Sequence, residues 1–458
     1  MPTLPHKKRP RIHNNPDHKR RTHVPAPNDA AIEARLTAFV QPAIFAELDY
    51  YRQLGKRNRI LNLPVMLALI LGLIWRRVPG VCALQRLLAR ERILWAERKT
   101  VSQSALSDRF VDFPAVLIER VLYRVLARLP ERFRARTRPT DALLSGVAAR
   151  FAGTYALDAT TREPLFRKLG SLQEQTGTHL AGHVSAVVDL QTQQPVKRWW
   201  SAEPQTNEKA VAPRILDWVT ANSLLVFDMG YFAYWFFDAL TDAKAWWVTR
   251  QRDRVNFTVE RVLLARPHVR DQIIHFGQHT VPCRHPVRLV EVSINGHWRG
   301  YLTNVLDPQR LSVVEVVALY QARWRIETTF LLVKRLLDLS YIWVGSQNGI
   351  WLQVLATFLF SAILIDLCDD VADALGVQLD DISIEMVYRG LYHYVTALAQ
   401  GDWSGDAPSY FAHEAKGLGI LKRQRPRPGP SISDQIRWAL VAPPLPHADL
   451  TTGRALNR

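Results

Sequence analysis

Cysteine is scarce: Cys82, Cys283 and Cys368 are the three in 458 residues, and they lie far apart. An odd, scattered set makes neither a disulfide framework nor a cysteine zinc site, and it suits a reducing cytosol. Acidic residues are in deficit, 42 Asp and Glu against 59 Lys and Arg, so the formal net charge is +17 with His neutral. Such a balance points to a polyanionic partner. Nucleic acid is the simplest, and an anionic membrane surface is the alternative. Long apolar runs are few. Leu61 to Trp75 is short for a membrane span and contains Pro64. Ile350 to Leu367 reaches the usual length of about 18 residues, but Gln353 interrupts it. Both read as buried helices of a large core, and the expectation is a cytoplasmic protein without membrane association. The basic, proline-containing start has no apolar segment behind it and does not read as a signal peptide. No internal repeat is visible. What is abundant is tryptophan, with 14 residues. Trp fills cores and also stacks on unpaired bases.

Residues 1–27 are polar, basic and proline-containing, a composition that cannot bury a core and reads as a disordered tail. Apolar spacing through Ile32–Leu54, Leu61–Ala89 and Ala115–Leu129 predicts helices, so residues 28–140 read as a helical N-terminal DNA-binding domain. Arg86, Arg90, Arg92, Arg98, Lys99 and Arg109 are its available cations, and residues 131–141 (ERFRARTRPTD) read as a linker. From Thr154 the period changes. Thr154–Thr160, Ala181–Leu190 and Val196–Ala202 read as strands, 207–222 as a helix, Ser223–Gly230 as a buried strand, Tyr231–Leu240 as a helix and Ala245–Arg250 as a strand. That order is mixed α/β over residues 150–252. Residues 253–310 read as a β-rich insertion, with strands at Gln272–Phe276, Arg288–Ile294 and Trp298–Leu306 and a hairpin signal at Asn295-Gly296. Ser312 and Glu315 make a capping box that opens a helical second part of the core, 311–370. Residues 371–424 read as a helical C-terminal region and 425–458 as a loosely ordered tail.

The stretch Tyr320–Lys334 (YQARWRIETTFLLVK) carries the strongest pattern. On one straight helix, Tyr320, Arg323, Glu327 and Lys334 fall within an arc of about 60°. A phenol, a guanidinium, a carboxylate and an ammonium on one face suit a metal-assisted phosphoryl-transfer site. On spacing alone, a plain surface helix with an Arg323–Glu327 ion pair and a loose lysine is the simpler reading. Asp158 and Asp228 each end a predicted strand. Strand ends and a crossing helix can gather Asp158, Asp228 and Glu327 into one pocket. Three carboxylates at close range repel and need cations to stay ionised together. Two divalent ions about 4 Å apart meet that need, and oxygen-only ligands select Mg²⁺ or Mn²⁺ over zinc. Spacing alone leaves Asp189, Glu203, Asp217, Asp238 and Asp242 open as competitors.

In this pattern the chain resembles the insertion-sequence DDE transposases with the Tyr-x2-Arg-x3-Glu-x6-Lys signature. Tyr320, Arg323, Glu327 and Lys334 match it in every position, and RWRIE (Arg323–Glu327) is typical too. Asp228-Met-Gly-Tyr-Phe232 resembles the block around the second aspartate, Trp247-Val-Thr-Arg250 the block after it, and Asp158 in YALDAT the first aspartate. Met229 stands where many members have Arg. The resemblance spans about residues 150–365. It implies an RNase H-like core with a β-rich insertion before the glutamate helix, and Asp158, Asp228 and Glu327 as catalytic ligands of two Mg²⁺ or Mn²⁺ ions. It implies hydrolysis at transposon ends, then attack of the freed 3′-hydroxyl on target DNA, by a homodimer assembled on DNA and associated with the nucleoid. Tyr320, Arg323 and Lys334 would grip phosphates, with Thr249 and Arg250 as further DNA contacts. Trp247 and Trp324 are candidates to stack on a flipped base, with core packing the plainer role for each. Two other readings stand beside the active enzyme: a catalytically silent relic that still binds DNA, and a membrane-associated basic protein.

Overall fold

The computed structural model describes residues 29–161 and 183–443, apart from 57–58, 79, 202–206, 254, 277–282, 338–342, 344–345 and 424–428. The basic tail expected at 1–27, the last residues of the chain and the competing Glu203 lie outside the described residues.

Among the described residues nine strands form one sheet: β1 (Gly153–Thr161), β2 (His183–Asp189), β3 (Pro195–Ser201), β4 (Ser223–Phe227), β5 (Trp246–Arg250), β6 (Phe257–Arg266), β7 (Val269–Phe276), β8 (Val287–Ile294) and β9 (His297–Thr303). Their order is β3-β2-β1-β4-β5-β9-β8-β7-β6. β1 runs antiparallel to β2 and parallel to β4, and β4 runs parallel to β5. β9 pairs antiparallel with β5, so the β-rich segment extends the same sheet. The sequence reading missed β6. Two register shifts in its pairing with β7 break the period-2 pattern, and its residues are mostly exposed or half-buried. At the other end of that segment, Asn295 and Gly296 take positive φ in the turn joining β8 and β9, as the hairpin signal requires.

Successive side chains of β1, β2 and β4 point to opposite faces and feed two cores. Leu157, Val187, Leu225 and Phe227 face an aromatic-rich core with Phe236, Phe237 and Trp247. Ala156, Val184, Ala186, Leu224 and Val226 face the larger core. The first core is closed by α8 (Ala212–Trp218) and α9 (Tyr234–Asp242). The larger holds the N-terminal helices: α1 (Ala30–Phe45), α2 (Leu48–Gln53), α3 (Leu63–Trp75), α4 (Val81–Leu88), α5 (Gln103–Asp112), α6 (Ala115–Ala135) and α7 (Ala142–Ala148).

The YQARWRIETTFLLVK stretch is three pieces and not the straight helix that the spacing suggested. α10 (Val313–Ala322) opens with the expected capping box, α11 (Arg325–Leu331) follows, and a π-helical turn covers Leu332–Leu336. At the break, the amides of Trp324, Ile326 and Glu327 donate to carbonyls three residues back, tightening the turn. The centre of the larger core is α12 (Gln347–Leu375), capped by Ser346 and ended by Gly376 at φ +64°. α12 is long and apolar enough to cross a membrane, but 94% of its most apolar stretch is buried within the protein. α13 (Ile384–Gln400) and α14 (Ala407–His413) follow. The segment read as a loose tail contains α15 (Ile432–Val441), capped by Ser431, with Ile436 and Ala439 buried. Its apolar spacing was masked by the flanking Pro and Gly.

The stretch read as a linker is an ionic clasp. α6 runs through Pro130 to Ala135, and Arg132, Arg136 and Arg138 reach the aspartates at the end of α12. Arg136 bonds Asp369 at 2.5 Å and Asp366 at 2.6 Å, and Arg138 also pairs with Asp369. Arg35 of α1 joins through Asp366. Arg136→Met should therefore lower stability by roughly 3 kcal/mol. That is the low end for breaking a buried ion pair, because Arg35 and Arg132 still reach Asp366. Denaturant unfolding measures it, and a loss below about 1 kcal/mol would contradict the role.

Candidate active site

The β1–β4 register builds the site. Their parallel pairing ends at Leu157↔Phe227. The next residues are Asp158 and Asp228, on neighbouring strands about 4.8 Å apart. Both follow the parity of Ala156 and Val226, so both point to the face that α10 and α11 cover. Asp158 Oδ1 accepts from the Ala159 amide at 2.8 Å, and Asp228 Oδ1 accepts from the Gly230 amide at 2.7 Å. Neither carboxylate can turn away without giving up that bond.

A third carboxylate joins them that sequence reasoning missed. Asp158, Glu208 and Asp228 each bring an oxygen within 4.8 Å of the others. Glu208 opens the 3₁₀ turn Glu208–Val211, after Asn207 caps it. Its Oε2 is buried and has no hydrogen-bond partner among the described residues. A Cβ at position 230 would overlap that carboxylate, so a larger residue there would push Glu208 away from the two aspartates. One signal was available: the Asp-x-Gly block announces a close approach to Gly230, though not the approaching residue.

Arg323, at the break between α10 and α11, balances this charge. It is 6% exposed. Its Nη1 donates to Asp158 Oδ2 at 2.5 Å and its Nη2 to Glu327 Oε1 at 3.5 Å. The ion pair of the plain reading is thus present, and its arginine bridges a strand to a helix. Glu327 lies outside the 4.8 Å carboxylate group and meets Asp158 through Arg323. Lys334 Nζ donates to Thr160 Oγ1, two residues beyond Asp158. Tyr320 is half-buried, its ring edge-on to Tyr301 at 5.3 Å. Trp324 is 60% exposed beside the site.

Three expected DNA contacts change. Trp247 is fully buried, stacked on Phe237 at 4.3 Å, and has no free face for a base. Thr249 is fully buried and donates to the Asp228 carbonyl at 3.4 Å, so it supports the aspartate's backbone. Arg323 is buried against carboxylates and is not presented to a phosphate. Arg250, by contrast, is exposed at the end of β5. Of the competing carboxylates, Asp189 caps its own turn, and Asp238 and Asp242 hold the 283–285 segment.

Burial pushes the Asp158 carboxyl up to about 6 against the pull of Arg323, and Asp228 and Glu327 add to the rise. Burial, then Asp228 and Asp158, push Glu208 up to about 7. Both groups want a cation. An oxygen-only set with one orphaned buried oxygen fits a hard divalent ion, with Asp158, Asp228 and Glu208 as the first holders. The pH dependence follows. A carboxyl with a raised folded pKa stabilises the fold when protonated and loses that contribution as pH rises, here from about 4 to about 7. A cation binds the deprotonated forms. The Mn²⁺-induced rise in melting temperature should therefore be larger at about pH 7.5 than at about pH 5.5. Equal shifts at both would contradict this electrostatic picture.

A family model described as the transposase DDE domain matches residues 153–360. Over 173 residues the chain is 25% identical to "Putative transposase y4zB" of Sinorhizobium fredii (strain NBRC 101917 / NGR234), covering 33% of this chain and 49% of that protein. The chain thus spans about half the length of the curated relative it matches. Among solved structures, the piggyBac transposase synaptic complex with hairpin DNA aligns over 90% of this chain and 87% of that one. Its identity is 11% and its TM-score 0.34, too low to carry an argument. Residues 153–360, which hold Asp158, Asp228 and the Tyr320–Lys334 signature, are thus similar to the transposase DDE domain.

Proposed function

We propose that the protein cuts transposon-end DNA and joins the freed 3′-hydroxyl to target DNA, by hydrolysis followed by transesterification. The observation that carries this is the pairing that ends at Leu157↔Phe227 and sets Asp158 beside Asp228. Strand order β3-β2-β1-β4-β5, with β1 antiparallel to β2 and parallel to β4, supports an RNase H-like core in which β6–β9 are the insertion. In this reading Asp158, Asp228 and Glu327 are the catalytic carboxylates and Glu208 is a fourth holder of metal. Two Mg²⁺ or Mn²⁺ ions would supply an activated oxygen nucleophile and stabilise the leaving oxygen. The protein's own part is to hold the carboxylates close together in place, and cation binding is what favours their ionised forms. Arg323 offsets the charge of Asp158 and Glu327. Lys334 and Arg250 offer cations and Tyr320 a phenol to phosphates beside the cut. Trp324 has the free indole face for a base that Trp247 lacks. Among the described residues each chain holds one carboxylate set, so cutting two ends calls for a homodimer on DNA. The N-terminal helices, where Arg86, Arg90 and Arg98 are exposed, would bind end DNA.

Cleavage of a labelled duplex bearing the element's ends tests this reading. Wild type should cut with Mg²⁺ and not with EDTA. Glu327→Ala should lose cutting by a factor of a thousand or more and keep end binding, since it removes a ligand and not a phosphate contact. Measurable cutting by that variant would refute its role. Lys334→Ala should weaken binding and flatten the slope of log affinity against log salt by about 0.9, one phosphate on duplex DNA. An unchanged slope would remove Lys334 from the DNA contacts.

A further inference from the structure

At the free edge of the sheet, away from the carboxylates, lies a cavity of about 330 Å³. That is at the small end of the range for ligand pockets, roughly 300–1,000 Å³. Edge strand β3 lines one side, and the N-terminal turn of α12 another. Arg198 of β3 is the unusual residue in it. Its side chain is 1% exposed, yet none of its three guanidinium nitrogens has a hydrogen-bond partner among the described residues. Its contact with charge density is the Tyr123 ring, 5.0 Å from the guanidinium carbon. Glu119, in the same lining, attracts it without a hydrogen bond, and a cation buried without hydrogen-bonded partners costs more than a cation–π contact returns. The indole N–H of Trp200, another lining residue, is also buried without a partner. Two orphaned donor groups in one cavity define a place for an acceptor.

The rest of the lining fits an anion that carries an aromatic group. Lys197 and Arg214 add positive charge, against the single carboxylate of Glu119. The N-terminus of the 29-residue α12 adds the positive end of its dipole. Trp200 and Trp351 lie nearly parallel, with ring centroids 6.4 Å apart at 23°, and form an aromatic platform. Arg198 also lies in register with Ala186 and Asp158 across three strands. The three share one face of the sheet, so its Cα is about 10 Å from that of Asp158.

We propose that this cavity holds one nucleotide unit of a DNA strand, its phosphate on Arg198 and the Trp200 N–H and its base on the Trp200–Trp351 platform. The inference rests on the reading that the protein acts on DNA, but not on the carboxylates being catalytic. Arginine takes a phosphate through two parallel N–H bonds, and an indole accepts any base by stacking.

The test uses the full chain in EDTA, with a tetranucleotide of thymidine carrying one 5-iododeoxyuridine. Photocrosslinking followed by peptide mass spectrometry should find the adduct on the peptides of Trp200 or Trp351. Arg198→Met should lose most of the adduct and lower the salt slope of tetranucleotide binding by about 0.7, one phosphate on a single strand. It should still fold, because it removes an unpaired buried charge. Trp351→Ala, a second variant, should weaken binding roughly tenfold through loss of one base stack. An adduct elsewhere in wild type, or an undiminished adduct and slope in both variants, would overturn the site. Competition by thymidine monophosphate as strong as by the tetranucleotide would overturn the strand in favour of a free nucleotide. Glu327→Ala should crosslink like wild type, so failure of the catalytic reading leaves this result standing.

Discussion

Like charges held close together are the constraint around which this structure is arranged. Asp158, Glu208 and Asp228 crowd within 4.8 Å, and Glu327 stands behind a shared arginine. Carboxylates left to themselves would move apart or take up protons. The fold prevents the first in three ways. Parallel pairing fixes the two strands, backbone amides fix Asp158 and Asp228, and the bare Cα of Gly230 leaves room for Glu208 to close in. The second it opposes only in part, through the Arg323 guanidinium, which meets Asp158 and Glu327 at once, and Asp158 and Glu208 still sit well above the usual carboxylate range. What charge remains is the site's affinity for divalent cations.

Holding Arg323 there shapes the elements above the sheet. The helical stretch breaks at Arg323–Trp324, so one end of the arginine's segment belongs to α10 and the other to α11. A straight helix would set Tyr320, Arg323, Glu327 and Lys334 in one row along its surface. The break gives each its own target: the Tyr301 ring, Asp158, the space beside Arg323, and Thr160. Beneath these elements, α12 supplies a buried apolar floor, and its aspartates clamp the N-terminal helices through arginine. The two ionic systems differ in purpose. In the α6–α12 clasp, charges are matched and the gain is packing order. At the carboxylates they are left unmatched, and the site is costly without a partner.

Much of the fold was legible in the sequence because its signals are local. The near-continuous apolar run Ser223–Phe227 marks a strand buried on both faces, and an aspartate after such a strand marks its end. Ser312 with Glu315 marks a helix start, and Asn295-Gly296 a hairpin. What escaped depends on partners distant in the chain. The arginines of residues 131–141 read as a linker because their aspartates lie about 230 residues later. Glu208 was invisible because nothing in its neighbours says that a short 3₁₀ turn will carry it to Gly230. Trp247 read as core first and as a base contact second, and its ring, stacked on Phe237 in the aromatic core, bears out the first. The helix break left no mark either. Arg323 and Trp324 keep helical φ and ψ, and neither Pro nor Gly announces the tighter turn. Pairing with Asp158 draws Arg323 inward, and that contact is tertiary.

The most direct test of the account is a crystal of the full chain grown with Mn²⁺, measured at a wavelength where manganese scatters anomalously. The account predicts anomalous peaks bounded by oxygens of Asp158, Asp228 and Glu208, with Glu327 on the open side, two peaks about 4 Å apart when both positions fill. Manganese bound elsewhere, or no peak between Asp158 and Asp228 at saturating Mn²⁺ near pH 7.5, would contradict it.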